Sequence, residues 1–158
     1  HRTGRNFRIY KDKTVNAEIP SGSMENTIMT GDRVFGNRLA YIFGEPKRFD
    51  IIIFRYPDDE KQLFIKRIIG LPGETVEIHD GQIFIDGSKT PLKDVTTKEF
   101  MQGSFGPYTV PDNCYFVMGD NRNNSKDSRY WEHTFVTDDE IVGKAFLRYW
   151  PLNKIKFL

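Results

Sequence analysis

Cysteine is almost absent. Cys114 is the only one in 158 residues, so no intrachain disulfide can form. It opens Cys-Tyr-Phe-Val-Met, which reads as a buried strand, and a thiol there is a small core residue rather than a reactive one. Long apolar runs are absent too. Ile51-Ile52-Ile53-Phe54 is among the longest, against the ~20 residues a bilayer-crossing helix needs. The expectation is a water-soluble chain, or the water-soluble part of a longer one. Neither charge is in excess: the net charge of +1 excludes the global field that attracts nucleic acid. Histidine is limited to His1, His79 and His133, and none clusters with Cys114 at metal-ligand spacing, so no metal site is expected. Internal repeats and low-complexity tracts are also lacking.

What is present suits one domain with a real core. Hydrophobic residues at 38% and charged residues at 28% fall within globular limits. Residues 1–13 are locally basic, with Arg2, Arg5, Arg8, Lys11 and Lys13 against Asp12. That run fits a solvated tail or a juxtamembrane segment near anionic lipid. His1, with no initiating Met before the basic run, suggests a chain trimmed from a longer protein.

Strand signals dominate. Asp32 to Phe35, Asp50 to Tyr56, Gln62 to Ile69, Cys114 to Met118 and Ile141 to Trp150 are β-branched, aromatic or apolar and are bounded by turn residues. Glu74 to His79 and Gln82 to Ile85 alternate around Asp80-Gly81, a strong hairpin signal, and Asp86-Gly87 closes the hairpin. Short helices are expected at Asn26 to Met29, Arg38 to Phe43 and Thr137 to Ile141. Residues 88–107 read as an irregular excursion or flap. The fold class is mainly β, a sandwich or barrel-like arrangement of short strands.

Three stretches have the residue types for chemistry. In Pro20-Ser21-Gly22-Ser23-Met24, the proline restrains the chain entering the segment, and Gly22 lets backbone approach a ligand. Ser23 then has room to present its hydroxyl. In Phe64-Ile65-Lys66-Arg67-Ile68, strand alternation puts Lys66 on one face with Phe64 and Ile68. If that face is inward, desolvation lowers the lysine pKa, and a neutral amine can take a proton from a serine. The third stretch, Gly119 to Arg129, is too polar for a core. Pairs Asp120–Arg122 and Asp127–Arg129 are expected there, and Ser125 offers a hydrogen bond. Each stretch also has a bland reading: a Ser/Gly turn, a lysine reaching water from a strand edge, and a surface turn. The acidic runs Asp58-Asp59-Glu60 and Asp138-Asp139-Glu140 read as solvated turns.

Together these stretches resemble bacterial type I signal peptidases, the Ser/Lys proteases that remove signal peptides. The matching segments are Ser21 to Glu25 with Thr27, Gly31-Asp32, Lys66 to Glu74, and Gly119 to Arg122 with Ser125, Asp127, Ser128 and Arg129. Phe49 to Phe54 and Val142 to Ala145 match as well, so the resemblance runs from about residue 17 to 151. It implies Ser23 as nucleophile and Lys66 as general base. It implies Ser21 as oxyanion donor beside the Ser23 amide, and Ser125 as the residue that orients the lysine. Asp127, Arg129 and Arg67 would form the supporting shell. Ile19, Met24, Ile28 and Phe64 would line substrate pockets for small side chains. Asn26 departs from a usual proline, and Glu132-His133 from a usual glycine.

The resemblance further implies no cofactor or metal, signal peptides of exported preproteins as substrates, contact with a membrane lipid surface and no nucleic acid. It implies a single-pass anchor that this chain lacks and an extracytoplasmic catalytic domain. Residues 1–16 would be the basic segment following the anchor, and 17–158 the catalytic β domain. Two other readings share parts of the pattern. A self-cleaving repressor-type peptidase has the Ser-Met motif and a lysine base, but residues 1–22 lack its cleavable Ala-Gly or Cys-Gly bond. A non-catalytic β domain that binds peptides has no use for Ser23.

Overall fold

Ile51 to Phe54 is continuously apolar because its strand is covered on both faces. Ile51 and Ile53 join one cluster with Ile19, Met24, Ile28, Val34 and Ile65, while Ile52 and Phe54 join another with Ile68, Tyr115, Val117 and Trp131. A computed structural model describes residues 14–19, 21–94, 96–97 and 99–158. The basic run over 1–13 and the restraint expected at Pro20 lie outside the described residues.

Eleven strands are described: β1 (Thr14–Glu18), β2 (Arg33–Asn37), β3 (Ile51–Tyr56), β4 (Asp59–Gly70), β5 (Thr75–His79), β6 (Gln82–Ile85), β7 (Phe105–Thr109), β8 (Cys114–Met118), β9 (Val136–Thr137), β10 (Ile141–Trp150) and β11 (Lys156–Phe157). Eight form one sheet in the order β1-β2-β10-β3-β4-β8-β9, with β11 on β10; β6-β5-β7 form a second. All pairings are antiparallel. The mainly β expectation is met. A third cluster, with Ile69, Val76, Ile78, Ile83, Phe116 and Met118, lies between the small sheet and β4 and β8. The β5–β6 hairpin turns as expected, with φ of +47° at Asp80 and +79° at Gly81. A side chain at Gly81 would strike the Met101 carbonyl oxygen at 1.9 Å, so glycine is needed there.

Several local expectations are corrected. Asn26 to Met29 is a turn, because Asn26 sits at φ +93°, outside the right-handed helical region. Arg38 to Phe43 is a run of turns, begun when the Asn37 side chain accepts the Leu39 N–H at 2.9 Å. Thr137 to Ile141 contains only the 3₁₀ turn Asp138–Glu140. The Glu140 carboxylate accepts the Thr137 N–H at 2.9 Å, so Glu140 is not a solvated turn residue. Asp59 and Glu60 belong to β4, and the turn there is Pro57-Asp58. Asp58 is also partnered: its carboxylate accepts the backbone N–H groups of Glu132 and His133 at 3.0 and 2.7 Å. The irregular excursion ends at Ser104, since Phe105–Thr109 pairs with β5 as β7. Thr14 to Asn16, expected in the basic segment, already pair with β2.

Candidate active site

The turn after β1 and the middle of β4 meet at one point. Ser23 lies in the 3₁₀ turn Gly22–Met24, and Lys66 projects from β4. Lys66 Nζ donates to Ser23 Oγ at 2.7 Å and to the Ile65 carbonyl at 3.2 Å. Ser23 is 8% exposed and Lys66 4%, so this hydrogen bond is sheltered from water. Burial pushes the Lys66 amine down from 10.5 to about 8, while the charges of Asp127 and Asp120 pull it back up. The Phe64 ring lies 5.3 Å from the amine, stacked on Tyr56 at 4.2 Å. Ser21 Oγ donates to Ser23 Oγ at 3.3 Å.

The polar stretch 119–129 braces this pair. Asn121 donates its backbone N–H to the Ser23 carbonyl at 2.9 Å and its side-chain amide to the Gly22 carbonyl at 3.0 Å. Arg67 makes a bidentate pair with Asp120 at 2.8 and 2.7 Å and reaches the Phe49 carbonyl at 2.8 Å. Arg129 holds Asp127 the same way, with both contacts at 2.8 Å, and the second Asp127 oxygen also accepts the Gly119 N–H at 3.1 Å. Thr27 Oγ1 donates to Asp120 at 2.5 Å. Gly119 is required by packing: a Cβ there would lie 2.2 Å from Ser125 Oγ and 2.4 Å from the Ser23 carbonyl oxygen.

Ser21, Ser23, Lys66, Arg67, Asp127 and Arg129 are thus brought together, directly or through the consecutive residues Gly119, Asp120 and Asn121. The expected Asp120–Arg122 pair is not formed. Asp120 faces Arg67 instead, and Arg122 faces Asp94. Ser125 is buried beside Gly119, but among the described residues its Oγ has no hydrogen-bond partner, Lys66 included. The atoms nearest a Cβ at Gly22 would be those of the flexible Glu25 carboxylate, at 2.8 Å. Sequence reasoning missed Asn121 and Thr27 as braces. Asn and Thr in polar turns are common, and nothing in their spacing reveals the carbonyl or carboxylate they reach.

A groove of about 440 Å³ opens beside Ser23, lined by Ala17 and Ile19 from one side and by Leu63, Phe64 and Ile65 from the other. Met24 lines it from below, whereas Ile28, expected at a pocket wall, is fully buried in the core beneath. The groove runs between two strand edges. β1 ends its sheet, and β4 pairs with β8 only from Arg67 onward, which leaves residues 59–66 bonded to β3 alone among the described residues. His133 lies with Asp58 at 2.8 Å at the β3–β4 turn, and the hydroxyl of Ser23 already has its lysine. Among the described residues no three His, Cys, Asp or Glu come together as a metal-binding group, and no helix is long and apolar enough to cross a membrane.

A buried lysine amine bonded to a serine hydroxyl at the floor of a groove is the arrangement that a serine nucleophile with a lysine base would need. The family described as signal peptidase, peptidase S26, matches residues 9–150. The chain is 39% identical over 145 residues to a probable signal peptidase I-2 of Synechocystis sp., covering 89% of this chain and 65% of that protein. It is 40% identical over 144 residues to signal peptidase I of Leptolyngbya laminosa, covering 87% and 69%. A crystal structure of a signal peptidase I from Enterococcus faecalis superposes with a TM-score of 0.54 at 37% identity, covering 63% of this chain and 96% of that one. The chain belongs to the signal peptidase family, peptidase S26. It spans about two thirds of the length of these curated relatives.

Proposed function

We propose that this chain is the catalytic part of a membrane-associated serine endopeptidase that cleaves signal peptides from exported preproteins. The observation that carries this reading is the 2.7 Å contact between Lys66 Nζ and Ser23 Oγ at the floor of the groove. The end of a signal peptide enters extended and bonds through its main chain to the free edges of β1 and β4. Small side chains before the scissile bond fit against Ile19, Met24 and Phe64. Neutral Lys66 takes the Ser23 proton, and Oγ attacks the carbonyl carbon. The Ser23 N–H and the Ser21 hydroxyl hold the developing oxyanion. The Lys66 ammonium gives its proton to the leaving amine, and the acyl group stays on Ser23. The amine then activates a water, which releases the acyl group and restores the serine. The braces Arg67, Asp127 and Arg129 keep the two reacting groups in register. Ser125 Oγ, buried with an unused acceptor, is where the ammonium can turn after taking the proton. No metal or cofactor enters these steps.

Membership of the signal peptidase family argues against a self-cleaving repressor peptidase. The membrane anchor and an extracytoplasmic location are part of the same proposal. The test is cleavage of a purified preprotein by the wild-type chain, Ser23→Ala and Lys66→Ala. Both variants should lose activity by at least about 10⁴-fold while remaining folded. Wild-type turnover by Ser23→Ala overturns the assignment. Ser21→Ala should lose about 10² to 10³ in kcat, the effect of one oxyanion donor.

A further inference from the structure

The excursion between the β5–β6 hairpin and β7 reaches the loop beside Ser23 through Arg122 and Asn123. Arg122 is fixed from two sides: its Nε donates to the Gly119 carbonyl at 2.9 Å, and a terminal nitrogen donates to the Asp94 carboxylate at 2.5 Å. Its other terminal nitrogen reaches Thr96 Oγ1 at 3.1 Å, and Thr96 in turn donates its N–H to Asp94 at 3.0 Å. The Arg122 carbonyl accepts from Arg129 at 2.8 Å. Next to Arg122, Asn123 accepts the Gln102 N–H and donates to the Phe100 carbonyl, both at 2.9 Å. The excursion is therefore tied across the loop that carries Asn121 and Ser125.

Gly119 is clamped at both of its peptide groups, by Asp127 at the N–H and by Arg122 at the carbonyl. Its Cα faces the Ser23 carbonyl and Ser125 Oγ, so its position sets the position of both. The guanidinium of Arg122 is almost fully buried, and among the described residues Asp94 is the carboxylate that pairs with it. Removing that partner leaves a buried cation uncompensated, and the loop must move to rehydrate it.

We propose that Asp94, acting through Arg122 and Gly119, is a positioning residue for Ser23, and that the excursion is a strap holding the nucleophile turn in register. The proposal rests on the peptidase reading for its kinetic consequence but not for its structural one. Asp94→Asn keeps the shape and removes the charge. Its kcat for preprotein should fall about tenfold with KM held within about twofold, the pattern of a misplaced reacting group rather than a lost substrate contact. On an Arg122→Ala background the same substitution should cost nothing further. Amides over 119–125 should exchange with deuterium about tenfold faster in Asp94→Asn than in wild type, while those of β3 stay unchanged. An unaltered kcat, a raised KM at constant kcat, a full additional loss on the Arg122→Ala background, or unaltered exchange over 119–125 overturns the proposal. Ser23→Ala is run in the same assay. If it cleaves like wild type, the peptidase reading fails, and the exchange experiment, which needs no turnover, still decides the strap.

Discussion

Lys66 carries a pH signature. Its folded pKa of about 8 lies below the ordinary 10.5 because of burial, so the neutral amine is scarce in acid. Cleavage should rise with pH through about 8 and level off above it, with the rate at pH 6 about a hundredfold below the plateau. A flat profile in initial-rate assays contradicts the lysine base. Between pH 8 and 10.5 the unfolded chain holds more protons than the folded one, so stability rises with pH across that window. Below about 8 both states are protonated, and the full penalty of roughly 3 kcal/mol applies. Lys66→Met should be inactive and more stable than wild type at pH 7 by up to that amount in urea titrations. Asn26 gives a second test. At φ +93° it stands where proline, fixed near −65°, cannot. Asn26→Pro should destabilise by more than about 1 kcal/mol, and Asn26→Gly should stay within about 1 kcal/mol of wild type in thermal melts. The meeting of Ser23 and Lys66 was legible through the family resemblance of the three stretches taken together, since a lysine amid apolar β-branched residues, taken alone, reads as readily as a side chain reaching water from a strand edge. The partners of Asp120 and Arg122 were not, because neighbours in sequence look like a pair until the backbone turns them apart.

Most strands could be read from apolar runs and turn residues, and Cys114–Met118 and Ile141–Trp150 match their expected bounds. β7 was hidden because Gly106 and Pro107 read as loop, and only its register with β5 makes it a strand. The start of β4 was hidden because Asp59 and Glu60 look like turn residues, although a half-free strand tolerates exposed charge. The loop after β8 depends on Gly119. Gly119→Ala would press a methyl group onto backbone at the Ser23 carbonyl and onto Ser125. It should lower kcat by about 10²-fold and stability by about 1–3 kcal/mol, read from kinetics and denaturant titration on the same sample.

At the scale of the whole molecule, aromatic residues make up 14% of the chain and divide between interior and surface. Phe54, Tyr115, Phe116 and Trp131 fill the interior, where they join strands distant in sequence. Trp150, Leu152, Ile155 and Phe157 stand exposed together at the end of β10 and on β11, interspersed with Lys154 and Lys156. Trp150 pairs with Arg33, which pairs with Glu18 just before the turn that carries Ser23. Aromatic rings among lysines suit the interface of an anionic bilayer. The chain should sediment with anionic vesicles, and Trp150→Ser with Phe157→Ser should lower the bound fraction several-fold. Equal sedimentation of the double variant would place lipid contact elsewhere.

On the proposed reading, the groove between β1 and β4, whose facing edges have no strand partner there among the described residues, would impose a deadline on its substrate. Strand addition needs main-chain amides and carbonyls, which a client protein offers only before they are taken up by its own helices and sheets. Cleavage would then race against the client's maturation. A precursor that structures quickly around its cleavage segment should escape, whatever small side chains it carries there, and a slow one should be cut.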